Sequence, residues 1–457
     1  MTEAVTAEHL PHVVAWNLTR RCNLACAHCY ISAGSWQGTG TDLTTAEVRR
    51  IMDEILAMAG APLFILSGGE PLLRADLEAI AEHATAGGAT VVVGTNGTLL
   101  SAERIGSLRS AGVQGVAVSV DSLSERYHDR FRHGDGALAD TLAAVDRLAE
   151  GELDLVVQTT ITRGNRAELP ALAAWAAERG AVSLNIYFLV ATGRAAGMEG
   201  LAPAENEAVL EEILALERAY RGRMMVRAKC QPQLMRLAYA AHAAAGDAGN
   251  AGNAGNAGDT VSPLLNYATR CPCGVHYCRV TPEGKLTPCP YTPVEAGDLR
   301  RQSFADIWER SPVLASLRAG ELGGRCGRCE YREVCGGCRA RAYAVHGELL
   351  AEDPACVYEP AGGPPVAPAR TLTYGAAPAA PTLPWTEDAR ARMARVPGFV
   401  RAVVCKRVEG YARERGYAAV TPDVLDEVRR EMPVDFSKKL PFFLRRAAAG
   451  TGPGKDA

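Results

Sequence analysis

The sequence contains no apolar run approaching the ~18 residues that a membrane-spanning helix needs, so no stretch reads as a transmembrane segment. It also lacks a charge imbalance. Its 49 Lys and Arg stand against 52 Asp and Glu, a net charge of −3, too near neutral to argue for a nucleic-acid partner or an acidic membrane surface. No secretory leader is legible: Met1–Leu10 is acidic where a basic and then an apolar stretch would stand. The expected location is the cytoplasm. What the chain has in quantity is cysteine. Fourteen cysteines in a reducing compartment point to metal rather than disulfides. At 457 residues, 47% hydrophobic and 22% charged, the composition is that of an ordinary globular protein with ample core. A soft prior of ~150 residues per domain suggests about three domains.

From Val13 to about Val190, short β-branched runs alternate with helical patterns, the rhythm of a parallel α/β sheet. The runs place strands near 13–17, 63–67, 90–94, 115–120, 155–162 and 183–189, with helices near 45–58, 75–87, 102–111, 138–150 and 166–179. Thr44 and Glu47 form a capping box at the first helix start. In such folds ligands sit at the carboxyl ends of the strands. After the first strand comes Cys22-Asn-Leu-Ala-Cys26-Ala-His28-Cys29, and after the second Ser67-Gly68-Gly69-Glu70-Pro71. Paired glycines let backbone approach a ligand closely, and Glu70 can accept hydrogen bonds from an ammonium. The third strand ends at Thr95-Asn96-Gly97, the fourth at Ser119-Val120-Asp121, the fifth carries Gln158 and then Arg163, and the sixth ends at Leu189-Val190.

Three thiolates in C-x3-C-x2-C do not fill a structural zinc site, which takes four side chains. They can hold three corners of a 4Fe–4S cluster and leave one iron open to a non-protein ligand. This triplet, followed some forty residues later by Gly68-Gly69-Glu70-Pro71, resembles the radical SAM superfamily. The resemblance implies a partial six-fold (β/α) barrel. It also implies a 4Fe–4S cluster on Cys22, Cys26 and Cys29 that binds S-adenosylmethionine and cleaves it reductively to a 5′-deoxyadenosyl radical. The family's ligand contacts fall on His28 beside the adenine and on Gly68, Gly69, Glu70 and Pro71 for the methionyl amino group. Asn96, Ser119, Asp121, Gln158 and Arg163 match ribose or carboxylate contacts, and the Leu189–Val190 backbone flanks the adenine.

A second cysteine field follows: Cys271-Pro-Cys273-x4-Cys278-x10-Cys289, then Cys326-x2-Cys329-x5-Cys335-x2-Cys338-x17-Cys356. Its C-x2-C pairs fit zinc ribbons. Beside the N-terminal triplet the field resembles the SPASM domain, which implies one or two auxiliary 4Fe–4S clusters. That architecture would give one cluster Cys273 (or Cys271), Cys278, Cys289 and Cys338, and the other Cys326, Cys329, Cys335 and Cys356. The two residues between Cys335 and Cys338 are one fewer than the family has. Cys230 reads as a plain thiol, and Trp308 as the core anchor of a short helix.

Trp385–Gly416 resembles a small domain appended to a subunit of light-independent protochlorophyllide reductase, with Thr386 as helix cap. The expected layout is the barrel over 12–200, a helical connector with a Gly-Asn-Ala insertion over 201–262, the cluster domain over 263–360, a linker over 361–384, the small helical domain over 385–433 and a tail over 434–457.

Tyr187–Arg194, Thr287–Tyr291 and Cys335–Tyr343 together are similar to the haem-biosynthesis branch of radical SAM/SPASM enzymes. That similarity implies removal or oxidative decarboxylation of propionates on an iron tetrapyrrole, with an electron donor such as a flavodoxin or ferredoxin. Arg194, Arg339 and Arg341 are candidates for steering the propionates, since guanidinium grips carboxylate bidentately. The alternative is a maturase acting on a ribosomal peptide or other small molecule. Against it stand the short stretch before Val13, with no room for a leader-binding domain, and Pro290 where sulfatase-maturing relatives have an aspartate.

Overall fold

A computed structural model describes residues 9–59, 61–151, 153–244, 270–367, 382–394 and 398–430. The Gly246–Gly258 insertion, most of the linker and the tail lie outside the described residues.

Six strands form at the expected places: β1 Val13–Asn17, β2 Leu63–Ser67, β3 Thr90–Thr95, β4 Gly115–Ser119, β5 Asp154–Ile161 and β6 Ser183–Phe188. Each pairs in parallel with the next, and helices make the crossovers. These are α1 Thr45–Ala59, α2 Leu77–Ala86, α3 Ala102–Ser110, α4 Glu125–Arg132, α5 Ala137–Glu150 and α6 Leu169–Glu178. Helix α1 shows why. Thr44 N–H donates to Glu47 Oε2 (2.8 Å) and Glu47 N–H to Thr44 Oγ1 (3.3 Å), a reciprocal cap. Its Val48, Ile51, Met52, Ile55 and Ala59 recur at helical spacing and are all buried. Leu63, Val92, Ala117, Val156 and Val182 fill the barrel interior near the strand starts, leaving the carboxyl ends open.

The sheet has ten strands, in the order β10-β9-β8-β1-β2-β3-β4-β5-β6-β7. After helix α7 (Pro203–Ala219), β7 (Met225–Lys229) adds in parallel to β6, with Tyr187 opposite Lys229. The connector is therefore not purely helical. Its basic Met-Val-Arg-Ala-Lys run becomes a strand because the β6 edge offers it a ladder, and pairing overrides propensity. Helix α8 (Gln233–Ala244) follows. The first strand of the second cysteine field, β8 (Tyr277–Val280), pairs in parallel with β1, and β9 (Lys285–Thr287) and β10 (Gly297–Asp298) continue antiparallel. One sheet thus carries both cysteine fields. Helices α9 (Phe304–Arg310), α10 (Pro312–Ala319), α11 (Gly324–Arg328) and α12 (Arg339–His346) complete this part. Trp308, 1% exposed, anchors α9 as expected.

The C-terminal helices α13 (Glu387–Ala394), α14 (Gly398–Glu414) and α15 (Pro422–Arg430) share a core of their own around Trp385, Val408, Val420 and Val424. Thr386 Oγ1 caps α13 by accepting from Ala389 N–H (3.3 Å), and Gly416, at φ +72°, ends α14. No helix among the described residues is long and apolar enough to cross a membrane.

Candidate active site

The first cysteine loop leaves β1 and closes on itself through Cys22 N–H to Gly34 O and Gly34 N–H to Arg20 O, both 3.2 Å. Two strand ends then clasp it. From β2, Gly69 N–H donates to Thr19 O (2.7 Å) and Glu70 N–H to Arg21 O (2.9 Å). A Cβ on Gly69 would stand 2.2 Å from Arg21 O, so only glycine permits this approach. From β6, Arg194 donates its backbone N–H to Cys29 O (3.0 Å), Nε to Cys26 O (2.8 Å) and Nη1 to Ala33 O (2.6 Å). The end of α4 adds Phe131 O, which accepts from Ala27 N–H at 2.9 Å.

The loop's three thiols face a cavity of about 1270 Å³, counted with its open mouth. Backbone N–H groups already aim at two of them: Leu24 at Cys22 Sγ (3.4 Å) and Ala33 at Cys29 Sγ (3.3 Å). Burial pushes the Cys22 thiol up to about 12. Burial also raises Cys26, against the pull of the Arg132 guanidinium. Three thiols held in one loop and short of a fourth ligand, with Cys22 and Cys26 poorly able to ionise alone, suit a cationic iron centre.

Beside the cysteines, the cavity is lined by His28, Gly68, Gly69, Asn96, Ser119, Asp121, Gln158, Leu189 and Val190. The remaining expectations need correction. Glu70 is fully buried beneath the lining; its carboxylate accepts from Leu72 N–H (3.1 Å), Thr95 Oγ1 (2.8 Å) and Asn96 N–H (2.9 Å). It joins the ends of β2 and β3 and is absent from the cavity lining. Pro71 is buried as the first residue of a short turn of helix. Arg163 lies outside the cavity in an exposed ion-pair group with Glu199 and Glu205. The three arginines expected to steer propionates are also engaged. Arg194 holds the loop, Arg339 donates to Leu349 O and Ala351 O, and Arg341 binds Asp353 and Cys230 O.

At the cavity wall Asp121 accepts from Thr160 N–H (2.7 Å) and from Arg132 Nε (2.9 Å) and Nη2 (2.7 Å). Burial pushes its carboxyl up, but Arg132, His28 and His128 outweigh that and hold it below the usual carboxylate range. His28 stacks on Phe131 with ring centroids 4.4 Å apart. Burial brings its imidazole down to about 4 despite Asp121, so the ring is a neutral, flat wall at pH 7.

The second cysteine field forms two thiol groups. Cys326, Cys329, Cys335 and Cys356 ring a cavity of about 410 Å³, counted with its open mouth, together with Arg236, Arg325 and Arg332. Two backbone N–H groups point at its sulfurs, Asp353 at Cys326 (3.4 Å) and Gly337 at Cys335 (3.5 Å). Cys273, Cys289 and Cys338 pack with Cys230 and Cys271 in the other. Cys278 is absent from both. Side chains alternate along a strand, and on β8 Tyr277 lines the first cavity while Cys278 points the opposite way, into the main core at 0% exposure. Burial raises its thiol, and its expected ligand role does not fit.

The match described as "Radical SAM superfamily" spans residues 16–176. "Iron-sulfur cluster-binding domain" spans 271–339, and "Proto-chlorophyllide reductase 57 kD subunit" spans 385–429. Over 357 residues the chain is 38% identical to the AdoMet-dependent heme synthase of Methanosarcina barkeri, covering 78% of this chain and 99% of that protein. The chain belongs to the radical SAM superfamily. A second AdoMet-dependent heme synthase, from Oleidesulfovibrio alaskensis, is 33% identical over 76% of this chain and 87% of its own length. The fold of this radical SAM enzyme is shared with Streptococcus suis SuiB bound to S-adenosylmethionine, with TM-score 0.59 and 12% identity over 77% of this chain and 78% of that one.

Two features of this radical SAM protein escaped the sequence. Arg132, buried in the cavity beside Cys26 and Asp121, ends a helix whose only local sign is a short charged run. Tyr30, Tyr187, Tyr277 and Tyr291 gather on one side of the cavity, with Tyr30 and Tyr291 ring centroids 5.1 Å apart and Tyr187 and Tyr291 6.4 Å apart. They come from four separate segments, so no spacing reveals them.

Proposed function

We propose that this radical SAM enzyme removes or oxidatively decarboxylates the propionate side chains of an iron tetrapyrrole in haem-type cofactor biosynthesis. The observation that carries the reading is the 38% identity over 99% of a protein named AdoMet-dependent heme synthase, because the match takes in nearly the whole of that protein and 78% of this chain. Cys22, Cys26 and Cys29 would hold the 4Fe–4S cluster, while Cys326, Cys329, Cys335 and Cys356 would hold one auxiliary cluster and the other thiol group a second. Bound there, the first cluster with S-adenosylmethionine supplies a 5′-deoxyadenosyl radical, and the auxiliary clusters supply an electron acceptor.

The chain's own residues set the geometry. Asn96, Ser119 and Gln158 present amide and hydroxyl groups to the ribose and methionyl ends, and the Leu189–Val190 backbone and His28 flank the adenine. Arg132 offsets negative charge beside Cys26 and Cys22. Four tyrosines, with rings tilted 51° and 49° between neighbours, give an aromatic wall against which a macrocycle packs. With the three arginines engaged, Lys229 is the cation we assign to a propionate. It stands opposite cavity-lining Tyr187 in the β6–β7 register, has no carboxylate partner among the described residues, and is lowered to about 8 by burial. A small reducing protein such as a flavodoxin or ferredoxin, in the cytoplasm, would supply electrons.

The test is anaerobic incubation of the reconstituted enzyme with S-adenosylmethionine, dithionite and iron-coproporphyrin III. The reading expects 5′-deoxyadenosine and a lighter porphyrin. 5′-Deoxyadenosine with an unchanged porphyrin would overturn it in favour of a peptide or other small-molecule substrate.

A further inference from the structure

We propose that Cys230 is a ligand of the auxiliary iron–sulfur site formed with Cys271, Cys289 and Cys338, in the position the sequence pattern gives to Cys278. The inference rests on the reading that the second cysteine field holds auxiliary clusters. It begins with packing: Cys230 and Cys271, both partly buried, pack against the buried cluster that holds Cys273, Cys289 and Cys338, although 40 residues lie between Cys230 and Cys271. Strand β7 delivers it there, since pairing with β6 carries the chain to Lys229 at the cavity end of the sheet.

The backbone at this point is unusual. Cys230 has φ +60°, the left-handed region, one of three non-glycine residues so placed among the described residues. Such a conformation is strained for a residue with a side chain and persists where surrounding contacts impose it. Those contacts are specific. Arg341 Nη2 donates to Cys230 O (2.7 Å), Arg341 Nη1 reaches Asp353 Oδ2 (3.1 Å), and the same Asp353 oxygen accepts from Cys338 N–H (2.7 Å). A single chain of buried hydrogen bonds therefore fixes the backbone of Cys230 relative to that of Cys338. Arg341 and Asp353 are 8% and 1% exposed, and buried partners of this kind orient ligands at metal sites. Next along the chain, Gln231 is 2% exposed with neither amide atom hydrogen-bonded among the described residues.

Electrostatics support the same quartet. Cys230 interacts with Cys338, Cys289 and Cys271; Cys338 interacts with Cys271 and Cys289; and Cys289 with Cys271. Each of the four thiols thus lies within electrostatic reach of the other three. Cys273 interacts most strongly with Cys271 and Cys289, and its thiol stands 3.9 Å from Thr292 Oγ1. This fifth thiol borders the site as a neighbour of two ligands.

The full chain, the Cys230→Ala, Cys230→Ser and Cys278→Ala variants, and Cys273→Ala would be reconstituted anaerobically. Iron and sulfide per chain would be counted and the reduced proteins compared by EPR without S-adenosylmethionine. Cys230→Ala should lose about four irons per chain, or the signal of one 4Fe–4S centre, while the other centres remain and report a folded protein. Cys230→Ser should keep a centre with a shifted signal, and Cys278→Ala and Cys273→Ala should match wild type. Wild-type iron and spectra in Cys230→Ala would overturn the assignment, as would cluster loss in Cys273→Ala or Cys278→Ala. A wild-type chain with no cluster at this site would overturn both the assignment and the auxiliary-cluster reading. Selective cluster loss in Cys230→Ala, alongside a porphyrin untouched by wild type, would uphold the ligand and reject the substrate.

Discussion

Replacing Gly69 by alanine tests how the first cysteine loop is held. The new Cβ would stand 2.2 Å from Arg21 O, 2.7 Å from Arg21 C and 2.9 Å from Arg20 O. All three are backbone atoms of the loop, so no side chain can swing aside. Overpacking of this kind costs ~1–3 kcal/mol. Separation of the two segments also weakens the Gly69-to-Thr19 and Glu70-to-Arg21 hydrogen bonds, at ~1 kcal/mol each. The expected loss is about 3–5 kcal/mol, read by urea unfolding of the iron-free chain. Because Cys22 directly follows Arg21, reconstitution should also lose about four irons per chain while the second cysteine field still loads. Gly106→Ala is the control. It lies within α3, a Cβ there meets nothing within 4 Å, and it should gain about 0.5–1 kcal/mol. A Gly69→Ala protein with wild-type stability and full iron would refute the clasp.

Arg132→Met leaves Asp121 buried without its ionic partner and should cost ~3–5 kcal/mol in denaturant unfolding, much of it recovered in the Arg132→Met/Asp121→Leu double variant. Lys229→Met should raise the KM for a carboxylated porphyrin about 10- to 100-fold, the worth of a charge-assisted hydrogen bond. Lys229→Arg should sit between it and wild type, and substrate-free cleavage of S-adenosylmethionine should not change. His276, 5% exposed, is held down to about 3 by burial. Below the unfolded value near 6.5 only the unfolded chain takes up this proton, so stability should fall as pH drops from 6.5 toward 3. The loss is ~1.4 kcal/mol per unit from this one group. His276→Leu should flatten that limb of the unfolding profile.

The barrel was legible because its strands are short β-branched runs bounded by turn residues, and β1 and β2 fall on the residues such runs pick out. The triplet was legible because three ligands crowd into one loop. What escaped depends on pairing partners far away in sequence. Strand β7 forms only because the edge of β6 is free, and that edge brings both Lys229 and Cys230 to their places. Cys278 belongs to a plausible motif, yet alternation along β8 turns it into the core. A guanidinium in sequence does not declare its partner: Arg194, Arg339 and Arg341 proved to hold backbone carbonyls and Asp353, while Arg132, in a helix not expected at all, faces the site. Glu70 follows the same logic, its carboxylate drawn inward by three donors at the ends of β2 and β3.

The most direct test of the central claim uses iron-coproporphyrin III deuterated at the β-carbons of its propionates, turned over anaerobically with S-adenosylmethionine and reductant. Deuterium should appear in the 5′-deoxyadenosine, beside a porphyrin product that has lost propionate carboxyl groups. 5′-Deoxyadenosine free of deuterium, beside an intact porphyrin, would contradict the claim.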